Sequence, residues 1–418
     1  MIRRTFGLRN GVARFAVVWS IVSASLLLAT AGWSQTITWL GTPPGYTLSK
    51  AYGVSADGSV VVGGAYAAGY WRAFRWVAAD GMQDLATLGG PESGAYGVSA
   101  DGSVVVGGAM NAFRRWRAFR WVAAEGMQDL GTLPSRNSSA AYGVSADGSV
   151  VVGAAFDGDL WSPFRKRRAF RWVAAEGMQD LATLGGPESE AYGVSADGRV
   201  VVGWAHDAAG QPHAFRWEDG VMQDLGTLGG LVSAALGVSA DGRVVVGWAH
   251  DAAGQPHAFR WEDGVMQDLA TLGGPESEAY GVSADGRVVV GRALNAAGQW
   301  RAFRWTAAGG MEDLNITYAS LLTDGSVLNY ANAISPNGRY IVGFGYNAAT
   351  GREEAFLLDT GFPLRGDVDR NGCVDDADLL AVLFAFGAQG YRNEDLNWDG
   401  TIDDADLLEV LFNFGSGC

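Results

Sequence analysis

The sequence predicts a mainly β fold, a seven-bladed β-propeller with about 44–52 residues per blade, followed by a small α-helical module carrying two calcium loops. Three observations predict it. The string "GVSADG" begins at Gly53, Gly97, Gly143, Gly193, Gly237 and Gly281, with a worn copy, "AISPNG", at Ala333. The strings "AFRW" and "DLATL" or "DLGTL" recur in step with it. Residues 366–418 then hold a doubled acidic segment, "GDVDRNGCVDDADLL" and "EDLNWDGTIDDADLL", offset by 28 residues.

The chain opens with Arg3, Arg4, Arg9 and Arg14 ahead of an apolar run from Phe15 to about Ala31. That is the layout of a secretory signal, so residues 1–34 are expected to be removed and the mature chain to start near Gln35. Arg3 and Arg4 also fit a twin-arginine signal, and a retained anchor is the rival reading because the run is near spanning length. No later segment is long and apolar enough to span, so no membrane contact is expected after cleavage.

Residues 35–360 are expected to form the propeller. Each unit reads as four short strands: Gly-Val-Ser, "VVVG", "AFRW" and "MQDLGTL". Asp57-Gly58 and its copies separate the first two, and Asp80-Gly81 or Asp263-Gly264 the last two; Asp-Gly readily adopts the positive φ of tight hairpins. In "AFRW", alternation puts Phe74 and Trp76 on one face and Ala73 and Arg75 on the other. The array begins with a strand fragment, "TITWLGT", and its last unit stops at "EEAFLLDT" without a fourth strand. Pairing the two closes a ring and removes two exposed edges, whereas an open solenoid would leave them bare.

"HAFRWEDGVMQDLGTLGG" followed by "GVSADGRVVVGWA" resembles the HAF family of bacterial extracellular repeats over about residues 36–360. The resemblance implies a secreted repeat protein and carries no established activity. Uniformity itself argues against catalysis: Gly193–Gly230 and Gly237–Gly274 differ only at Gly226 against Ala270, while an active site needs an asymmetric set of acid, base and nucleophile. The four histidines, His206, His213, His250 and His257, all fall in this pair and read as loop or strand-edge residues rather than metal ligands. Asp84 and its copies read as turn caps. Exposed Trp71, Trp161, Trp204 and Trp248 leave carbohydrate binding open.

A linker at 361–365 leads to a module at 366–418. A calcium loop of the EF-hand kind needs oxygen ligands at positions 1, 3, 5, 7, 9 and 12 and Gly at 6. The first copy supplies Asp367, Asp369, Asn371, Cys373 through its carbonyl, Asp375 and Asp378, with Gly372 at the bend. The second supplies Asp395, Asn397, Asp399, Thr401 through its carbonyl, Asp403 and Asp406, with Gly400. Two Ca2+ ions are therefore expected. Asp in place of Glu at position 12, with one apolar helix after each loop and none before, resembles the type I dockerin family. The resemblance implies calcium-ordered folding and docking onto a cohesin-like protein of a cell-surface or polysaccharide-degrading assembly. It places partner recognition at Asp376-Ala377 and Asp404-Ala405, which replace the family's common hydroxyl pair. The two cysteines, Cys373 and Cys418, are expected to form a disulfide, as a lone pair in an exported chain.

The net charge of -15 bears on partners too. Twelve Asp or Glu against Arg370 and Arg392 place ten of those negative charges in residues 366–418. Such a chain repels phosphate backbones, so no nucleic-acid partner is expected. The expectation is a secreted or cell-surface bacterial protein without catalytic residues, whose propeller displays or binds and whose tail docks. The alternatives are a carbohydrate-active enzyme or lectin with its site on the propeller, and a structural surface-layer component.

Overall fold

A computed structural model of the chain describes residues 35–158 and 166–418; the expected signal and Trp161 lie outside them. Seven four-stranded antiparallel sheets follow one another around a ring. Blade 1 comprises Leu48–Val54, Val60–Ala67, Tyr70–Val77 and Gly81–Asp84, and blades 2 to 6 repeat its order. In blade 7, Val327–Ile334, Tyr340–Asn347 and Arg352–Asp359 are completed by the chain's first strand, Thr36–Gly41, which pairs Trp39 with Phe356. The ring is thus closed by the N-terminal strand, and the open solenoid is excluded.

Two sequence expectations change in detail. The "MQDLGTL" run is a strand only over Gly81–Asp84 in blade 1. Asp84 ends it: its Oδ1 accepts the amide of Ala86 at 2.7 Å, and Ala86 sits at φ 66°. Asp129, Asp180, Asp224 and Asp268 repeat the bond, which is the turn-capping role expected of them. In "AFRW", Ala73 and Phe74 are both buried, because each blade is packed between two others and has no solvent face.

The recurring "SADG" builds the inner wall. Ser55 Oγ donates to Asp57 Oδ1 (2.7 Å) and accepts the amide of Val60, while Asp57 accepts that of Ser59. The turn then reaches its neighbour: Ala56 N–H donates to the carbonyl of Ala100, Ala100 to Ala146, and so on to Ala284, which donates to Pro336. Pro336 has no N–H to continue the circle. The Asn337 side-chain amide takes over and donates to the carbonyl of Ala56 at 3.2 Å. The degenerate "SPNG" is therefore the closing link of a cyclic hydrogen-bond ring. A second set of stitches lies between blades, where Ser93 Oγ accepts the amide of Ala73 and donates to the carbonyl of Ala86. Ser49 does the same across the closure, to Ala355 and Gly41.

Residues 366–418 form two loops, each followed by a helix, Asp376–Ala385 and Asp404–Asn413. Each loop pairs with the segment behind the other helix. Val374 N–H donates to the carbonyl of Ser416, and Gly387 N–H to that of Ile402. Val368, Val374, Val382, Ile402 and Val410 form the small core of this module. Cys373 and Cys418 are disulfide-bonded, tying the first loop to the C-terminus. No helix among the described residues is long and apolar enough to cross a membrane.

Candidate functional site

Each tail loop is folded by its own side chains. Asp369 Oδ1 accepts the amide of Asn371, Asn371 Oδ1 that of Cys373, and Asp367 Oδ2 that of Gly372 at 3.1 Å. In the second loop Asp395 Oδ2 accepts the amide of Gly400 at 2.9 Å, Asn397 Oδ1 that of Asp399, and Asp399 Oδ1 that of Thr401. Both glycines have the positive φ that the bend needs, 90° at Gly372 and 89° at Gly400. Asp375 and Asp403 cap the following helices, and Asp378 and Asp406 complete the capping boxes. Asp378 Oδ1 also accepts the amides of Val368 and Asp369, which hooks the end of the loop to its beginning; Asp406 does this with Leu396 and Asn397. The Cys373 sulfur is in the disulfide, leaving its carbonyl to face the role expected of it.

The donor set has a charge problem that a cation would solve. Ligand oxygens of Asp367, Asp369 and Asp378 lie within 4.8 Å of one another, and two of these three residues are buried. Asp367 Oδ1 is buried with no hydrogen-bond partner. Burial first, then the carboxylates of Asp378 and Asp369, push the Asp367 carboxyl up to about 6. Burial, with Asp406 and Asp399 nearby, pushes Asp395 up to about 7. An orphaned buried oxygen among converging carboxylates fits a hard, oxygen-seeking cation.

Outside the loops, the two helices leave matching apolar faces in solvent. Leu380, Leu383, Phe384 and Phe386 are exposed, and so are Leu408, Leu411, Phe412 and Phe414, each 28 residues on. Phe384 and Phe412 are 86% and 80% exposed, at the centre of these contiguous apolar faces. Asp376, Ala377, Asp404 and Ala405 are exposed at the helix starts. The module's core takes Val382 and Val410 from the same helices, with Leu379 and Leu407 partly buried against it.

The opposite side of the module is seated on the propeller. Position 4 of each loop has a left-handed backbone, φ 62° at Arg370 and 60° at Trp398, and both side chains reach the ring. Arg370 pairs with Asp285 of a blade 6 turn. Trp398, 5% exposed, packs among Ala56, Ala100 and Ala284 of the cyclic hydrogen-bond ring and stacks with Tyr391. It plugs that mouth of the central channel.

The other mouth is open. A cavity of about 720 Å³ is lined there by Tyr52, Tyr96, Tyr142, Tyr192 and Tyr280, with Leu236 and Asn332 at the equivalent positions. Each stands where the register of its inner strand slips by one residue, a bulge that turns the side chain. Lys50 lines this mouth with its ammonium 4.1 Å from the Phe344 ring. Sequence reading treated the blades as uniform and missed this mouth. The signal was available two residues before the tyrosine, where the repeat reads Lys50, Gly94, Ala140, Glu190, Ala234 and Glu278. His213 and His257 pair with Asp224 and Asp268 at 2.8 Å, as strand-edge residues. Trp71, Trp204 and Trp248, expected to be exposed, are half-buried, Trp71 lying at a tilt against Tyr66.

No protein-family model matches the chain, and no curated protein sequence matches it significantly. Solved structures do resemble it. The oligogalacturonate lyase of Vibrio parahaemolyticus superposes with a TM-score of 0.53 at 12% identity, over 77% of this chain and 93% of that one. TolB of Acinetobacter baumannii gives 0.42 at 14% identity, over 73% of this chain and 70% of that one. At 12% identity the likeness to the lyase shows the fold alone, in keeping with the seven four-stranded sheets of the ring.

Proposed function

We propose that this is an exported, non-catalytic protein in which residues 366–418 act as a calcium-dependent docking module of the dockerin kind. Its partner is a cohesin-like protein of a cell-surface or polysaccharide-degrading assembly, and the propeller is the displayed part. The observation that carries the reading is the coexistence, in one small module, of a converging carboxylate cluster at Asp367, Asp369 and Asp378, a second loop of the same sequence pattern, and two matching exposed apolar faces. Asp367, Asp369, Asn371, Asp375 and Asp378, with the Cys373 carbonyl, would hold one ion. Asp395, Asn397, Asp399, Asp403 and Asp406, with the Thr401 carbonyl, would hold the other. Calcium supplies charge neutralisation and fixes the loops; the residues themselves do the rest, capping the helices and presenting their faces. The disulfide suits an oxidising compartment, in keeping with export.

The apolar faces are the contact. Asp376-Ala377 and Asp404-Ala405 border them and would set which partner fits. The test uses the full chain with and without a calcium chelator against envelope proteins of the producing cell. A stoichiometric complex that forms only with calcium and is lost in Phe384→Ser/Phe412→Ser supports the reading. A complex indifferent to both sinks it.

A further inference from the structure

The near-identical pair of blades conceals one break in the repeat. Blades 4 and 6 enter their inner strands with "PESEAYGV", from Pro187 and Pro275, whereas blade 5 enters with "LVSAALGV" from Leu231. Ala234 thus stands where the others have Glu190 and Glu278, and Leu236 where they have Tyr192 and Tyr280. The strand bearing Ala234 and Leu236 packs on the strand of blade 4 bearing Trp204 and His206. Removing a carboxylate and a phenol there leaves a cavity of about 220 Å³. At the next interface the same Trp-Ala-His sequence, Trp248 to His250, meets Glu278 and Tyr280 instead. The cavity is therefore made by the neighbour, not by the repeat that holds the tryptophan.

Its walls are largely aromatic and hold no carboxylate, lysine or arginine: Tyr192, Trp204, His206 and Trp248, with Leu236 and Ala234. The polar groups are nearly all engaged. Ser233 Oγ accepts the amide of Ala214 and donates to the carbonyl of Gly226. Trp204 Nε1 donates to the Tyr192 hydroxyl. His206 is different. Its Nδ1 is buried with no partner, and its ring lies 5.2 Å from that of Trp204. A buried polar atom left unpaired loses its hydration without compensation unless a ligand satisfies it. Tyr192 and Leu236 also line the open channel mouth, so the cavity adjoins it.

We propose that this cavity is a saccharide subsite that takes one pyranose ring at the end of a neutral glycan. A pyranose offers an apolar C–H face whose partial positive charge suits the negative face of an indole, and hydroxyls around its edge. The ring lies against Trp204 or Trp248 and a hydroxyl bonds His206 Nδ1. Remaining sugars extend past Tyr192 and Leu236 into the channel mouth. An anionic sugar is disfavoured because no cationic side chain lines the cavity. This proposal concerns the propeller and stands independently of tail docking.

The decisive variant restores the repeat. Leu236→Tyr gives blade 5 the residue its neighbours carry, so it is compatible with the fold and fills the cavity. Titration calorimetry on the full chain would use methyl glycosides of glucose, galactose, mannose and xylose and their neutral β-linked oligosaccharides, with choline as a cationic probe. At least one glycoside is expected to bind, and Leu236→Tyr to weaken it at least about tenfold, the order of one lost aromatic contact. His206→Phe, which keeps the ring and removes the nitrogen, should weaken it too, while both variants keep the wild-type melting profile and tail complex. Absence of binding by every glycoside, equal binding by Leu236→Tyr, or binding of choline in place of the sugars would each overturn the proposal.

Discussion

Single residues close this ring. Pro336 interrupts the circle of turn amides, and Asn337 mends it through a side chain to the Ala56 carbonyl. Asn337→Ala should leave that carbonyl unpaired and cost about 1–3 kcal/mol, read as a lower midpoint in denaturant with an unchanged slope. Gly102 tests contact between blades. It sits at φ 73°, and a Cβ there would stand 2.5 Å from Val60 Cγ2. Gly102→Ala should therefore destabilise by more than about 1 kcal/mol, through both strain and the neighbouring blade. A melting temperature equal to wild type would contradict the packing described. Gly102 was legible as a turn residue. Its contact with Val60 was not, because that contact forms only when consecutive blades pack face to face.

At the scale of elements, the tail loops carry a pH dependence whose sign is unusual for carboxylates. Asp367 and Asp395 are raised, to about 6 and about 7, from an ordinary value of 3.8. Between about pH 4 and 7 the folded metal-free module holds more protons than the unfolded chain, so its stability falls as pH rises through that window. Metal-free protein should show a tail transition at lower temperature at pH 8 than at pH 5. Saturating calcium, which needs the ionised ligands, should reverse the order. Calorimetry with chelator and with calcium reads both arms, and a tail transition independent of calcium at pH 8 would refute the ligand assignment. The spacing of the carboxylates, the bend glycines and the helices were legible by counting, since each loop is local in sequence. The orphaned Asp367 oxygen was not, because burial depends on how the two loops pack.

Over the whole molecule, the tail is seated as well as tethered. Arg370 and Trp398 occupy the same loop position, and both reach the propeller. Loops ordered by metal should hold both contacts together. Trp398→Ala should therefore raise amide hydrogen exchange in residues 391–402 and in the alanine turns of the ring, and chelation of wild-type protein should raise it in the same segments. Protection unchanged in both would show that the plug is not coupled to the loops. Deleting Thr36–Gly41 should open blade 7, exposing the Arg352–Asp359 edge and causing aggregation detectable by light scattering. Repeat spacing and turn chemistry determined the seven blades, their closure and the two acidic loops, because these depend on contacts within one unit or between a strand and its complement. Only the tertiary structure decided that blade 5 leaves a gap beside Trp204, that Trp398 plugs one mouth, and that the helices keep their phenylalanines outside. Those outcomes depend on which side chain the ring brings opposite another, and a repeat read along the chain compares copies but never neighbours.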